Sequence, residues 1–218
     1  MNKLNITTAI VCAACFSPAA AADDDLWFGV KAGTLGLGVE ATWRPVPYLD
    51  LRAGYNGYTY EDTRTEAGLS YDGELDLGTL YATANLRVPL SPFRFTAGVF
   101  SNSNEIILNS RDDSTFQIGG STFQATDVGR LQARGTFDDI APYAGVGLDF
   151  RVFDTFGLHF DAGVLFQGAV AVTLDATGPI ANNQAFLDEL EAERQELQDS
   201  VDEYEYYPVV SVGFSFNF

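Results

Sequence analysis

Through most of this chain apolar side chains return at every second position. From Leu35 the odd positions carry Leu35, Leu37, Val39, Ala41 and Trp43, with Gly36, Gly38, Glu40 and Thr42 between them. Phe93, Phe95, Ala97 and Val99 alternate with Arg94, Thr96 and Gly98. Pro142 to Phe150, Phe156 to Phe166 and Pro208 to Phe218 repeat the pattern on their even positions. Successive side chains of a strand point to opposite faces, so a period of two predicts strands with one apolar face. Seven strands are expected, at about 35–44, 49–60, 75–88, 93–104, 140–152, 156–173 and 206–218. An eighth, Trp27 to Gly33, has its outward set on even numbers: Phe28, Val30 and Ala32. A two-residue turn at Thr34-Leu35 absorbs that change of phase, pairing Gly33 with Gly36 and Val30 with Val39. Such turns favour Asn-Gly, so a bulge within one longer strand stays open as the alternative.

A soluble antiparallel sandwich would alternate in the same way. Three features favour a barrel in a membrane. The segments run to about ten residues, the length a tilted strand needs to cross a bilayer. The non-apolar face is rich in glycine and fixed charge, which suits a narrow filled lumen better than a solvated surface. Trp27, Trp43, Tyr48, Tyr58, Tyr60, Tyr204, Tyr206 and Tyr207 gather at strand ends, where interfacial girdles belong. The expected fold is all-β: a transmembrane antiparallel up-and-down β-barrel, with eight strands the favoured count.

The connections fall into two classes. Arg44 to Asp50, Pro89 to Pro92 and Phe153 to Phe156 are short and suit periplasmic turns. Residues 61–76, 101–140 and 174–206 are long and polar and suit extracellular loops. These long stretches hold 22 of the 30 acidic residues but 5 of the 12 basic ones, so the negative charge collects on one rim. Ser114-Thr115-Phe116-Gln117 recurs as Ser121-Thr122-Phe123-Gln124 around Gly119-Gly120 and predicts a hairpin above the membrane. Ala185 to Val201 has no helix breaker and places Phe186, Leu190, Leu197 and Val201 on one stripe. It is expected as an amphipathic helix in the last extracellular loop, lying on the barrel rim with its acidic face in solvent.

The amino terminus reads as an export signal. Lys3 is its basic region, Leu4 to Ala14 its apolar stretch, and Ala20-Ala21-Ala22 its small-residue cleavage site. Removal after Ala22 leaves a barrel domain over residues 23–218. Both cysteines, Cys12 and Cys15, lie inside this signal, so no disulfide framework or thiol chemistry is expected in the mature chain. Ala13-Ala14-Cys15 weakly resembles a lipoprotein box, a rival reading that the cleavage site at Ala22 disfavours. Without Lys3 the mature chain has 11 basic and 30 acidic residues, a net charge of −19. That balance argues against nucleic acid, whose phosphates need basic contacts, and against adhesion to anionic lipid through a basic surface. Yet 46% hydrophobic and 13% aromatic residues are too many for an acidic disordered chain.

The inward face offers Lys31, Glu40, Arg44, Asp50, Arg52, Arg87, Arg94, Asp149, Arg151, His159 and Asp161. In a barrel of about eight strands the side chains just fill the interior, so these charges are expected to pair as a plug. A narrow ion path through them is the alternative. Catalysis of the Ser-His-acid kind needs a base beside a nucleophile and an orienting carboxylate. The sole histidine, His159, shares a face with Asp161, and Ser211 or Ser215 lies on the adjoining strand. However, His159 follows a periplasmic turn, far from the outer leaflet where lipid A enzymes act. One histidine and no mature cysteine argue against a zinc site, and no calcium-loop spacing occurs. No cofactor or metal is expected.

The signal, the alternation and the ending Pro208-Val-Val-Ser-Val-Gly-Phe-Ser-Phe-Asn-Phe218 resemble the small Gram-negative outer-membrane barrels of the opacity-protein and eight-stranded porin-like group. Gly33-Thr-Leu-Gly36, Phe93-Arg94, Ala141-Pro-Tyr143 and Pro208-Val-Val210 resemble a proteobacterial set of such proteins with no assigned activity. The resemblance covers nearly the whole mature chain. It implies a place in the outer membrane, with contacts to its lipid and lipopolysaccharide, and passage by periplasmic chaperones to the barrel-assembly machinery. It also implies that Phe214, Phe216 and Phe218 form the terminal signal which that machinery reads. The function expected is structural or surface-interaction, without enzymatic activity. The alternatives are a narrow porin-like channel and a lipid-modifying enzyme.

Overall fold

The computed structural model describes residues 26–66, 69–110, 115–152, 155–202 and 204–217. The signal segment with its cleavage site, and Phe218, lie outside them. The described elements, in chain order, begin with β1 (Leu26–Gly33), β2 (Gly36–Val46), β3 (Leu49–Glu66), β4 (Leu69–Arg87) and β5 (Phe93–Asn102). Next come β6 (Glu105–Ser110), β7 (Thr115–Ile118), β8 (Ser121–Gln124), α1 (Ala125–Val128) and β9 (Leu131–Thr136). The remainder are β10 (Ile140–Val152), β11 (Phe156–Phe166), β12 (Ala171–Ala176), α2 (Gln184–Val201) and β13 (Tyr206–Asn217).

Eight of these strands close into an antiparallel barrel: β1 to β5 in order, then β10, β11 and β13, which pairs back onto β1. The closing register sets Phe28 opposite Phe216 and Val30 opposite Phe214. Between β1 and β2, Val30 faces Val39 and Gly33 faces Gly36 across the two-residue turn, as the change of phase requires. The turn works without Asn-Gly because Gly36 takes the left-handed backbone (φ +91°) and the segment is tied to β13. The Thr34 amide donates to the Val210 carbonyl, its hydroxyl donates to the Pro208 carbonyl, and the Tyr207 hydroxyl donates to the Thr34 carbonyl.

Period two gives the barrel two unlike faces. Val30, Leu37, Leu51, Leu80, Phe95, Val99, Phe160, Val210 and Phe214 all stand exposed on the outside. A contiguous apolar belt of this kind is unsustainable against water and is what lipid requires. Trp43, Tyr48, Tyr58, Tyr60 and Tyr206 are exposed near strand ends. Trp27 and Tyr207 depart from the expected girdle: their odd positions turn them inward, and Trp27 is buried. Leu35 is likewise buried, because the turn folds it over the barrel mouth rather than extending the outward set of β2.

Beyond the barrel the described parts of the long connections form further strands and helices. The β3–β4 hairpin continues past Tyr60 to Glu66 and Leu69, over ground expected to be loop. A ladder needs only backbone partners, so it persists where side chains become polar. Near Gly78, β4 exchanges its neighbour β5 for β6. There the Gly78 amide donates to Asn104 Oδ1, while the Ser103 amide donates to the Gly78 carbonyl. β9 adds to β6 and β12 to β9, extending the sheet sideways above the barrel. β5 therefore ends at Asn102 and β11 at Phe166, earlier than the expected 104 and 173. The Gln167 amide bonds the Glu205 carbonyl, and the segment expected to prolong β11 becomes β12 in this upper sheet.

The β7–β8 hairpin around Gly119-Gly120 and helix α2 form where expected, but α2 does not rest on the barrel rim. Its buried Phe186 and Leu190 join Phe116, Ile118 and Val128 in a separate core, with Phe123 and Leu174 packed against it. Glu193 accepts from the Gly119 amide and Glu189 from the Ser121 hydroxyl, so two acids of α2 fasten the hairpin turn. Asn183 caps the helix by accepting from the Ala185 amide.

Candidate functional site

The barrel interior is filled in two layers. Toward the long connections lies an apolar layer of Leu35, Tyr81, Phe100, Ala141, Tyr143, Leu165 and Val209, with Tyr207 against it. Tyr81 and Phe100 stack at 4.9 Å between centroids, and Phe100 meets Tyr143 at 5.2 Å. Below it, nearer the short turns, lies a layer of charge.

The charged layer draws one or two residues from each of several staves. Arg94 of β5 is 1% exposed and reaches Asp161 of β11 at 2.5 Å and Asp149 of β10 at 3.0 Å. Its Nη1 also donates to Asn85 Oδ1 and Thr96 Oγ1, both at 3.0 Å. Gly147 makes this possible: a Cβ there would lie 2.6 Å from Arg94 Cζ. Arg52 bridges Asp161 at 3.3 Å and Glu40 at 3.4 Å. Glu40 is the second hub, accepting from the Tyr81 hydroxyl at 2.7 Å, with Lys31 Nζ at 3.9 Å and His159 Nε2 at 3.2 Å. Lys31 also lies 4.0 Å above the Tyr81 ring. Toward the turn end Asp50 pairs with Arg44 at 2.8 Å and Arg87 at 3.8 Å, and Arg87 reaches Asp149 at 3.9 Å.

The structure thus places Lys31, Glu40, Arg44, Asp50, Arg52, Arg87, Arg94, Asp149, His159 and Asp161 in connected contacts. Arg151 stands apart. It is exposed at the turn end, has no ion pair among the described residues, and lies 5.5 Å from the Trp27 ring. Two small vestibules flank the filled section, one at the turn end and one beside Lys31, Leu35 and Val209.

His159 and Asp161 share the inward face of β11. Ser211 Oγ is buried without a hydrogen-bond partner, and His159 Nε2 is directed at Glu40. Among the described residues no group of three His, Cys, Asp or Glu side chains could hold a metal ion. Among the described residues no helix is long and apolar enough to cross a membrane.

No family model and no curated protein sequence matches the chain. Its structure is similar to the crystal structure of CarO from Acinetobacter baumannii, with a TM-score of 0.57 at 24% identity, covering 89% of this chain and 98% of CarO. CarO2 from the same organism matches with a TM-score of 0.58 at 23% identity and the same coverage. This chain has the fold of a small Gram-negative outer-membrane barrel.

In this outer-membrane barrel fold, several lumen residues escape a search for charge. Tyr81, Asn85, Thr96 and Phe100 carry no charge, yet they hold Glu40 and Arg94 or close the space above them. Their signal was parity: odd positions of β4 and even positions of β5 face inward whatever their chemistry. Phe214 and Phe216 sit on the outer, even-numbered face of β13; Phe218 lies outside the described residues.

Proposed function

We propose that the protein is a closed outer-membrane barrel of structural or surface-interaction type, carrying its acidic connections outside the cell. The observation that carries this reading is the two-layer filling of the lumen. An aromatic layer and a charge layer lie in series along the lumen. The outer apolar belt supports contact with membrane lipid, and the acidic rim (22 acids in three connections) supports meetings with lipopolysaccharide-bound cations or external surfaces. Passage through periplasmic chaperones to the barrel-assembly machinery accompanies the same reading. Planar bilayers test it: the refolded protein is expected to give no steady single-channel conductance, and reproducible unitary steps would refute it.

A narrow channel is the second reading, favoured by the surplus of guanidinium groups at the turn end. The proposal also holds the barrel to be non-enzymatic, on the strength of the unpartnered Ser211 and the Glu40-directed His159. Lipid A and phospholipid profiles should be the same in cells with the protein, without it, and with His159→Ala.

A further inference from the structure

The vestibule at the turn end is lined by four guanidinium groups, Arg44, Arg52, Arg87 and Arg151, and by two carboxylates, Asp50 and Asp149. Both carboxylates are already shared. Asp50 serves Arg44 and Arg87, and Asp149 serves Arg94 and Arg87. Arg151 has no ion pair among the described residues, and its guanidinium lies near the Trp27 ring, as does that of Arg44 at 5.8 Å. Counted through the whole lumen, Lys31 and five arginines face Glu40, Asp50, Asp149 and Asp161, a surplus of two positive charges. Low-dielectric walls strengthen such a field and focus it at the opening. The vestibule beside Lys31 lacks this surplus, since its one cation is paired with Glu40.

We propose that the turn-end vestibule is a binding site for a doubly charged oxyanion of the phosphate class, held by Arg151 together with Arg44 and Arg87 and seated against Trp27. Guanidinium forks match phosphate oxygens in pairs, and two negative charges offset the surplus of two. The Ser215 hydroxyl lines the same space and can donate to the anion. The occupant is either free phosphate or the phosphomonoester of a lipid headgroup at the inner leaflet; both present terminal oxygens carrying two negative charges.

The test uses the full mature protein, refolded in a maltoside detergent that carries no phosphate, at about pH 8, where phosphate is dianionic. Calorimetric titration with inorganic phosphate is expected to show one saturable site that chloride at equal ionic strength does not reproduce. Arg151→Gln, at an exposed position outside the ion-pair network, should weaken binding at least about tenfold, a single charge-assisted contact's worth. Arg194→Gln on the distant helix α2 should leave it unchanged. Adding phosphatidic acid separates the sources: competition identifies the lipid phosphomonoester, and its absence identifies the free anion. A measurement on the unaltered protein stands beside the variants, since phosphate should raise the temperature at which the folded gel band is lost. No saturable heat, an unchanged affinity in Arg151→Gln, or equal effects of chloride and phosphate on that temperature would each overturn the proposal.

Discussion

Removing Arg94 should cost the barrel about 3 kcal/mol of stability, toward the lower end of what one-sided loss of a buried ion pair takes away. The side chain is closed to solvent and makes four contacts: Asp161 at 2.5 Å, and Asp149, Asn85 and Thr96 at 3.0 Å. Taken singly, hydrogen bonds to a charged group contribute about 1.5–3 kcal/mol each, but summing them would overstate the loss. Asp161 keeps Arg52 at 3.3 Å and Asp149 keeps Arg87 at 3.9 Å, so neither carboxylate is abandoned in Arg94→Ala. Arg94→Lys keeps the charge but loses the planar fork and should fall between the two. Urea unfolding in lipid vesicles, followed by fluorescence of Trp27 and Trp43, measures each variant; the heat-dependent gel shift verifies that it folds. A cycle with Asp161→Asn should return a coupling of about 1–3 kcal/mol. A loss below about 1 kcal/mol, or strict additivity in the cycle, would refute the reasoning and mean that water rather than the network satisfies these groups.

Four further outcomes follow from particular contacts. Gly147→Val should cripple barrel assembly, because its Cβ alone meets Arg94 Cζ at 2.6 Å, whereas Gly73→Ala, with its nearest neighbour at 3.4 Å, should leave the folded gel band intact. Phe100→Ala should cost about 3–5 kcal/mol by emptying the stack between Tyr81 and Tyr143, yet bilayers should stay silent because the charge layer still fills the lumen. Phe186→Ala should open the upper core to limited proteolysis between α1 and α2 while the barrel keeps its heat-dependent gel shift. On α2, hydrogen bonds from Arg194 and then Gln195 hold the exposed Glu191 carboxyl down at about 2, from an ordinary value near 4.5. A depressed carboxyl favours the helix above its unfolded value and loses that effect as pH falls toward 2, so Arg194→Ala should move the Glu191 titration seen by carbon NMR up toward 4.5.

What the alternation made legible was everything that touches lipid. Val30 against Val39 could be placed by phase alone, because one residue of slip would turn the whole apolar set inward. Past the bilayer that signal stops. Glu61 pairs with Glu74 and Asp62 with Gly73 in a regular ladder that no apolar side chain announces. Segment 171–176 continued the apolar pattern of β11 and yet joined β9, because tertiary pairing, which a single strand's pattern does not encode, decides its neighbour. In the site, charged residues on inward positions are readable one by one, whereas Tyr81 and Phe100 carry no charge to mark them. An inward aromatic is invisible to a reading that equates the inner face with polarity. Helix α2 was readable as amphipathic; what its stripe packs on was not, since Phe116 and Ile118 lie about 70 residues away in a hairpin of four-residue strands.

The two layers of the lumen divide the work of closing a narrow barrel according to what lies beyond each end. Against the aqueous connections an aromatic layer excludes water by packing, without the desolvation that buried charges demand. Lower down the inward positions hold charges, and each must find a partner across the lumen rather than along its own strand. Arg94 on β5, Asp149 on β10, Asp161 on β11, Arg52 on β3 and Glu40 on β2 therefore link five of the eight staves through side chains as well as through the ladder. Such a network is satisfied only when the sheet has closed and every register is correct. A slip of one residue at any of these strands would send a charge into lipid, at about 2–4 kcal/mol for an arginine near the midplane. On the proposed reading of a closed barrel, the charge layer is the device that makes the closed register the favoured one. A path gains from mobile, water-solvated charges, whereas the Arg94 side chain is closed to solvent and held by two carboxylates.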